Sequence, residues 1–73
     1  MLGSNIQKIS LSKDNDEIRL NTETGNLVFT DPVGFTIDGE IFDIMCTTIT
    51  EFEENDEYIL IATELGQVKF TRS

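Results

Sequence analysis

Seventy-three residues leave room for one small domain, and a formal charge of −9, from 14 acidic and 5 basic residues, disfavours direct binding to nucleic acid or to an anionic membrane. With no His and one cysteine, Cys46, the chain can form neither a Ser-His-Asp nor a Cys-His catalytic set, no intrachain disulfide and no cysteine–histidine zinc site. Nine Ile, six Leu, three Val and five Phe stand beside nine Thr and a single Ala, a composition that suits pleated, half-buried strands better than helices.

Apolar–polar alternation predicts a first strand over Ile6–Leu11, with Ile9 and Leu11 on one face. Lys13-Asp14-Asn15-Asp16 reads as a turn, because Asp and Asn hydrogen-bond their own backbone, and a second strand follows over Glu17–Thr22. Glu23-Thr24-Gly25-Asn26 then closes a hairpin. A Thr24-Gly25 loop with positive φ at the glycine sets Thr22 opposite Leu27 and Leu20 opposite Phe29, leaving Arg19, Asn21, Val28 and Thr30 outward. Pro32 and Gly34 make residues 31–34 a corner where the chain changes sheets. Asp38-Gly39 predicts a further hairpin that returns Phe35 toward Phe42. Residues 41–52 read as the longest strand, with the Cys46 thiol buried and inert in its middle. Glu53-Glu54-Asn55-Asp56 turns the chain into a strand over Tyr58–Thr63. A Leu65-Gly66 loop then places Thr63 opposite Val68 and Ile61 opposite Phe70.

The second half echoes the first. Asn15-Asp16-Glu17 and Thr22-Glu23-Thr24-Gly25, ending in Phe29-Thr30, recur as Asn55-Asp56-Glu57 and Thr63-Glu64-Leu65-Gly66, ending in Phe70-Thr71. The offset is 40 and then 41, which places one extra residue near Tyr58 and leaves 9 of 16 aligned positions identical. The expected fold is all-β: a small six- or seven-stranded antiparallel barrel or two-sheet sandwich built from two pseudo-repeated β-meanders. One domain spans 1–73, with repeat one at 5–30, the corner and hairpin at 31–40 and repeat two at 41–72.

The acidic residues gather in turns, Asp14, Asp16 and Glu17 in one and Glu53, Glu54, Asp56 and Glu57 in the other, where carboxylates are solvated. Asp14-x-Asp16 opens like an EF-hand loop, but Ile18 takes the next ligand position and no glycine stands at the sixth. No catalytic residue, cofactor or metal site is expected. With no Trp and one Tyr, aromatic recognition of peptides is poorly served, and the five Phe read as core. No apolar run approaches the ~20 residues that span a bilayer. Met1-Leu2-Gly3-Ser4 lacks a basic and apolar leader pattern, and with the free cysteine the expected location is the cytoplasm.

The strand Tyr58–Thr63 is apolar on both faces, with Tyr58, Leu60 and Ala62 turned outward, and a partner or second subunit is the economical cover. The expected function is a non-enzymatic protein–protein interaction or assembly module, homo-oligomeric, of a kind suited by analogy to accessory roles, including phage-type ones. It would use that strand or an adjacent sheet edge. The alternative is an acidic inhibitor that mimics nucleic acid and binds a basic protein groove, which requires the carboxylates of the two turns to share one face.

Overall fold

Period-two alternation places Ile18, Leu20 and Thr22 on one side of one strand and Ile59, Ile61 and Thr63 on one side of another, and each strand becomes interior to a sheet. The computed structural model describes residues 2–72; Met1 and Ser73, the ends of the expected 1–73 domain, lie outside them. The elements are β1 (Ile6–Leu11), β2 (Glu17–Thr22), β3 (Gly25–Thr30), β4 (Phe35–Asp38), a helical turn α1 (Ile41–Ile44), β5 (Ile49–Glu54), β6 (Tyr58–Thr63) and β7 (Gln67–Arg72). They form two antiparallel sheets, β1-β2-β3 and β4-β7-β6-β5, stacked as a sandwich. The core fills from both sheets and from Ile44 of α1. Nine of its apolar side chains are essentially out of water, each worth about 1.5–3 kcal/mol relative to exposure. Among the described residues no helix is long and apolar enough to cross a membrane.

The two meanders, β1-β2-β3 and β5-β6-β7, match in detail. Each opening strand has a register break at its start, between Ile6 and Lys8 in β1 and between Ile49 and Glu51 in β5. The meanders clasp each other there. Asn5 bridges Thr48, the Ile6 N–H donates to Thr47 O at 2.8 Å, and the Ile49 N–H donates to Ser4 O at 2.9 Å. A local twofold relation therefore passes between Asn5 and Thr48.

Both hairpin registers differ by two residues from the sequence expectation. Thr22 faces Gly25, Leu20 faces Leu27 and Ile18 faces Phe29, while Ile61 faces Val68 and Ile59 faces Phe70. The loops are Glu23-Thr24 and Glu64-Leu65, with the glycines outside them. A threonine hydroxyl spans each loop. Thr22 donates to Gly25 O (2.7 Å) and accepts from the Thr24 N–H, and Thr63 does the same with Gly66 O (3.2 Å) and the Leu65 N–H. None of the four loop residues takes a positive φ. A shift of two keeps every side chain on its expected face, so the core was unaffected.

The Asn-Asp-Glu motifs are not equivalent in space. Ser12 accepts the Asp16 and Glu17 N–H groups with its hydroxyl, and Asn55 accepts the Glu57 and Tyr58 N–H groups with its amide oxygen. Ser12 is therefore the counterpart of Asn55. The length difference is two additional residues in the β1–β2 turn, not one near Tyr58.

Four expectations around the middle of the chain fail. Asp38-Gly39 makes no hairpin to Phe42: β4 pairs with β7, Phe35 facing Arg72 and Asp38 facing Lys69. Residues 41–52 are not one strand, because Ile41, Ile44 and Met45 follow the helical spacing i, i+3, i+4 and turn together onto the core. Phe42, on the opposite side of that turn, is 82% exposed instead of core. Cys46 is exposed with φ of 60°, at the break between α1 and β5.

Candidate functional site

Alternation in β6 carries Tyr58, Leu60 and Ala62 to the outer face of the four-stranded sheet, as the sequence predicts. Their cross-strand neighbours there are polar and long. Leu60 lies between Glu53 of β5 and Lys69 of β7, and Ala62 between Glu51 and Gln67. The Tyr58 hydroxyl donates to Glu53 Oε1 at 2.7 Å, and Lys69 Nζ sits 4.4 Å from the centre of the Tyr58 ring. Leu60 is half-buried and Ala62 is 9% exposed. The sheet thus covers much of this face with the stems of its own charged side chains. The hydrogen bond to Glu53 raises the Tyr58 phenol above its ordinary value, since that bond needs the proton; partial desolvation acts in the same direction.

Glu54, Asp56 and Glu57 do not join that face. They lie at the end of the sandwich where β5 turns into β6, and the organising residue is Arg72. Its guanidinium donates to Asn55 O (3.3 Å), to Thr30 O (3.0 Å) and to Glu54 Oε2 (3.3 Å), and its Cζ lies 5.5 Å from the Phe35 ring centre. Its backbone N–H donates to Glu57 O at 2.8 Å. Thr30 ends β3 opposite Glu17, so one side chain ties the β5–β6 turn to the far sheet.

The β1–β2 turn reaches the same end. The Asp31 N–H donates to Asp16 O (2.9 Å) and the Phe35 N–H to Asn15 O (2.7 Å). The Ser12 hydroxyl donates to the Asp16 carboxylate. Asp31 is buried and holds the corner by accepting the Val33 N–H at 2.9 Å. Seven carboxylates, those of Asp14, Asp16, Glu17, Asp31, Glu54, Asp56 and Glu57, therefore belong to the turns and corner of one end. They stand against Lys13, Arg19 and Arg72, and Arg19 is already paired with Glu17 at 2.6 Å. Among the described residues no three acidic or cysteine side chains come close enough together to hold a metal ion.

Sequence reasoning named the acidic turns but missed Arg72, which ties the β5–β6 turn to Thr30 of the far sheet. Besides Glu54, its partners are main-chain carbonyls brought together by folding, and no sequence spacing encodes them. No protein-family model, curated protein or solved structure matches this chain.

Proposed function

We propose that the protein is a non-enzymatic interaction module whose acidic end docks on a basic surface of a partner protein. The observation that carries this reading is that the two acidic turns reach one end of the sandwich, where the carboxylates of Asp14, Asp16, Glu17, Glu54, Asp56 and Glu57 meet solvent on a chain of charge −9. A surface of one sign speeds encounter with an oppositely charged partner and gives it register. Spaced carboxylates of this kind also suit a groove made for phosphates. An exposed free thiol at Cys46 suits a reducing compartment, and we place the protein in the cytoplasm on that ground.

The test uses a labelled oligolysine peptide and fluorescence anisotropy at low and physiological salt. Neutralising Asp14, Asp56 and Glu57 together (D14N, D56N, E57Q) is expected to weaken binding about tenfold, at roughly 0.5 kcal/mol per exposed carboxylate. Neutralising Asp38, Glu40 and Glu64 (D38N, E40Q, E64Q) changes net charge equally and is expected to matter far less. Equal losses from the two sets would mean that the peptide senses only total charge, and the reading would fall.

Self-assembly is the second reading. Because Tyr58, Leu60 and Ala62 are largely covered by their own sheet, its support shifts to an edge strand, β3, which carries no charge.

A further inference from the structure

β1, β3, β4 and β5 lie at sheet edges. Three of them carry the devices by which natural proteins discourage edge pairing. β1 is bulged between Ile6 and Lys8 and exposes that lysine. β5 is bulged between Ile49 and Glu51 and bears Glu51, Glu53 and Glu54. β4 has only four residues. β3 has none of these. It is six residues long, Gly-Asn-Leu-Val-Phe-Thr, uncharged, free of proline and in unbroken register with β2, and its Val28 is 52% exposed.

We propose that β3 pairs antiparallel with β3 of a second copy, across a twofold axis at Val28. This rests on the self-assembly reading and supplies its surface. Thr22 and Gly25 flank a two-residue loop and so form a hydrogen-bonded pair, as Thr63 and Gly66 do in the other hairpin, where the Thr63 N–H meets Gly66 O at 2.7 Å. Alternation from that pair turns the main-chain groups of Leu27 and Phe29 toward β2 and those of Asn26, Val28 and Thr30 toward the open edge. The Thr30 carbonyl agrees, since it accepts from the Arg72 side chain, off the ladder. Its second lone pair remains able to accept from a neighbouring strand.

The side chains select both the partner and the register. With the axis at Val28, Val28 meets its own copy, Leu27 meets Phe29 on the core side, and Asn26 meets Thr30 on the outer side. A slip of two residues one way sets Asn26 against Val28 and Gly25 against Phe29. A slip the other way brings Leu27 to Asp31, where the chain has already turned into its corner. Charge favours the same arrangement. Two chains of −9 repel, and β3 brings no carboxylate opposite another. Across the joined sheet the nearest like charges in the central row are the two Arg19 side chains, three strand spacings or roughly 14 Å apart, beyond the Debye length of about 8 Å at physiological salt.

One strand pair is a small interface, so the dimer is weak and best seen by sedimentation velocity up to millimolar protein. The unaltered chain is expected to show a reversible dimer. Val28→Lys, at an exposed position, is expected to raise the dissociation constant at least about tenfold with an unchanged melting temperature. In a Cys46→Ser background, Val28→Cys is expected to oxidise readily to a disulfide-linked dimer, because a hydrogen-bonded antiparallel pair sets Cα atoms about 5.5 Å apart. Asn26→Cys, which faces Thr30 instead of itself, is not. If Val28→Lys fails to fold, the cross-link alone decides. A strict monomer at every concentration overturns the self-assembly reading and this inference together. A dimer that survives Val28→Lys and gives no Val28→Cys cross-link overturns the β3 axis alone and leaves self-assembly standing on another surface.

Discussion

Tyr58 is the protein's one tyrosine, and there is no tryptophan, so its phenol reports on the outer sheet face without interference. Its hydroxyl donates to Glu53 Oε1 at 2.7 Å, which raises its pKa above the ordinary value near 10. Raising the folded value above the unfolded one makes the protonated phenol the stabilising form. The contribution is complete below about pH 10 and is lost as pH climbs through the folded value. Absorbance at the phenolate band is expected to titrate late in the native protein. In Glu53→Gln the curve is expected to move to lower pH, because a neutral amide holds the phenolic proton less strongly than the carboxylate and can donate to the phenolate. An unmoved curve would mean that Glu53 and Tyr58 do not meet in solution.

Among the elements, β4 and the turn after it depend most on a single residue. Gly39 has φ of 113°, and a Cβ placed there would lie 2.6 Å from Gln67 O, inside the backbone of β7. Gly39→Ala is therefore expected to cost about 2–4 kcal/mol, read by urea denaturation, through backbone strain and displacement of β4 together. A loss under about 0.5 kcal/mol would show that β4 does not approach β7 this closely. The same residue marks the limit of what the sequence makes legible. Strand positions and facing were readable at β1, β2 and β6 because period-two alternation is local and the core enforces it. Register was not, since the choice between Thr24-Gly25 and Glu23-Thr24 turns on a threonine hydroxyl bridging the loop. Asp-Gly at 38–39 carried a genuine hairpin signal, yet the glycine answers to a steric demand from β7, a strand almost thirty residues away in sequence. Within 41–52 the helical spacing of Ile41, Ile44 and Met45 was present but short, and was masked by surrounding strand-forming residues. At the candidate site, Tyr58, Leu60 and Ala62 were placed on the right face, while the side chains that cover them come from β5 and β7 and follow only from pairing.

For the molecule as a whole, two of the contacts that tie sheet to sheet outside the core differ in kind. The Arg72 fork joins the sheets through carbonyls of Thr30 and Asn55 and through Glu54. Its ion pair is partly exposed and contributes little, whereas the carbonyl bonds and the packing on Phe35 are what alanine removes. Arg72→Ala is expected to lower stability by about 1–2 kcal/mol and Glu54→Gln by less than about 0.5 kcal/mol, compared by urea denaturation. Equal losses would assign the effect to the ion pair. The other contact is the clasp at Asn5 and Thr48, where each meander lends the other a carbonyl, Thr47 to Ile6 and Ser4 to Ile49. Opening either half removes the acceptor that satisfies a buried isoleucine in the half that stays folded. Neither meander is a refuge for the other, and the chain is expected to melt as a single cooperative unit despite being assembled from two like parts.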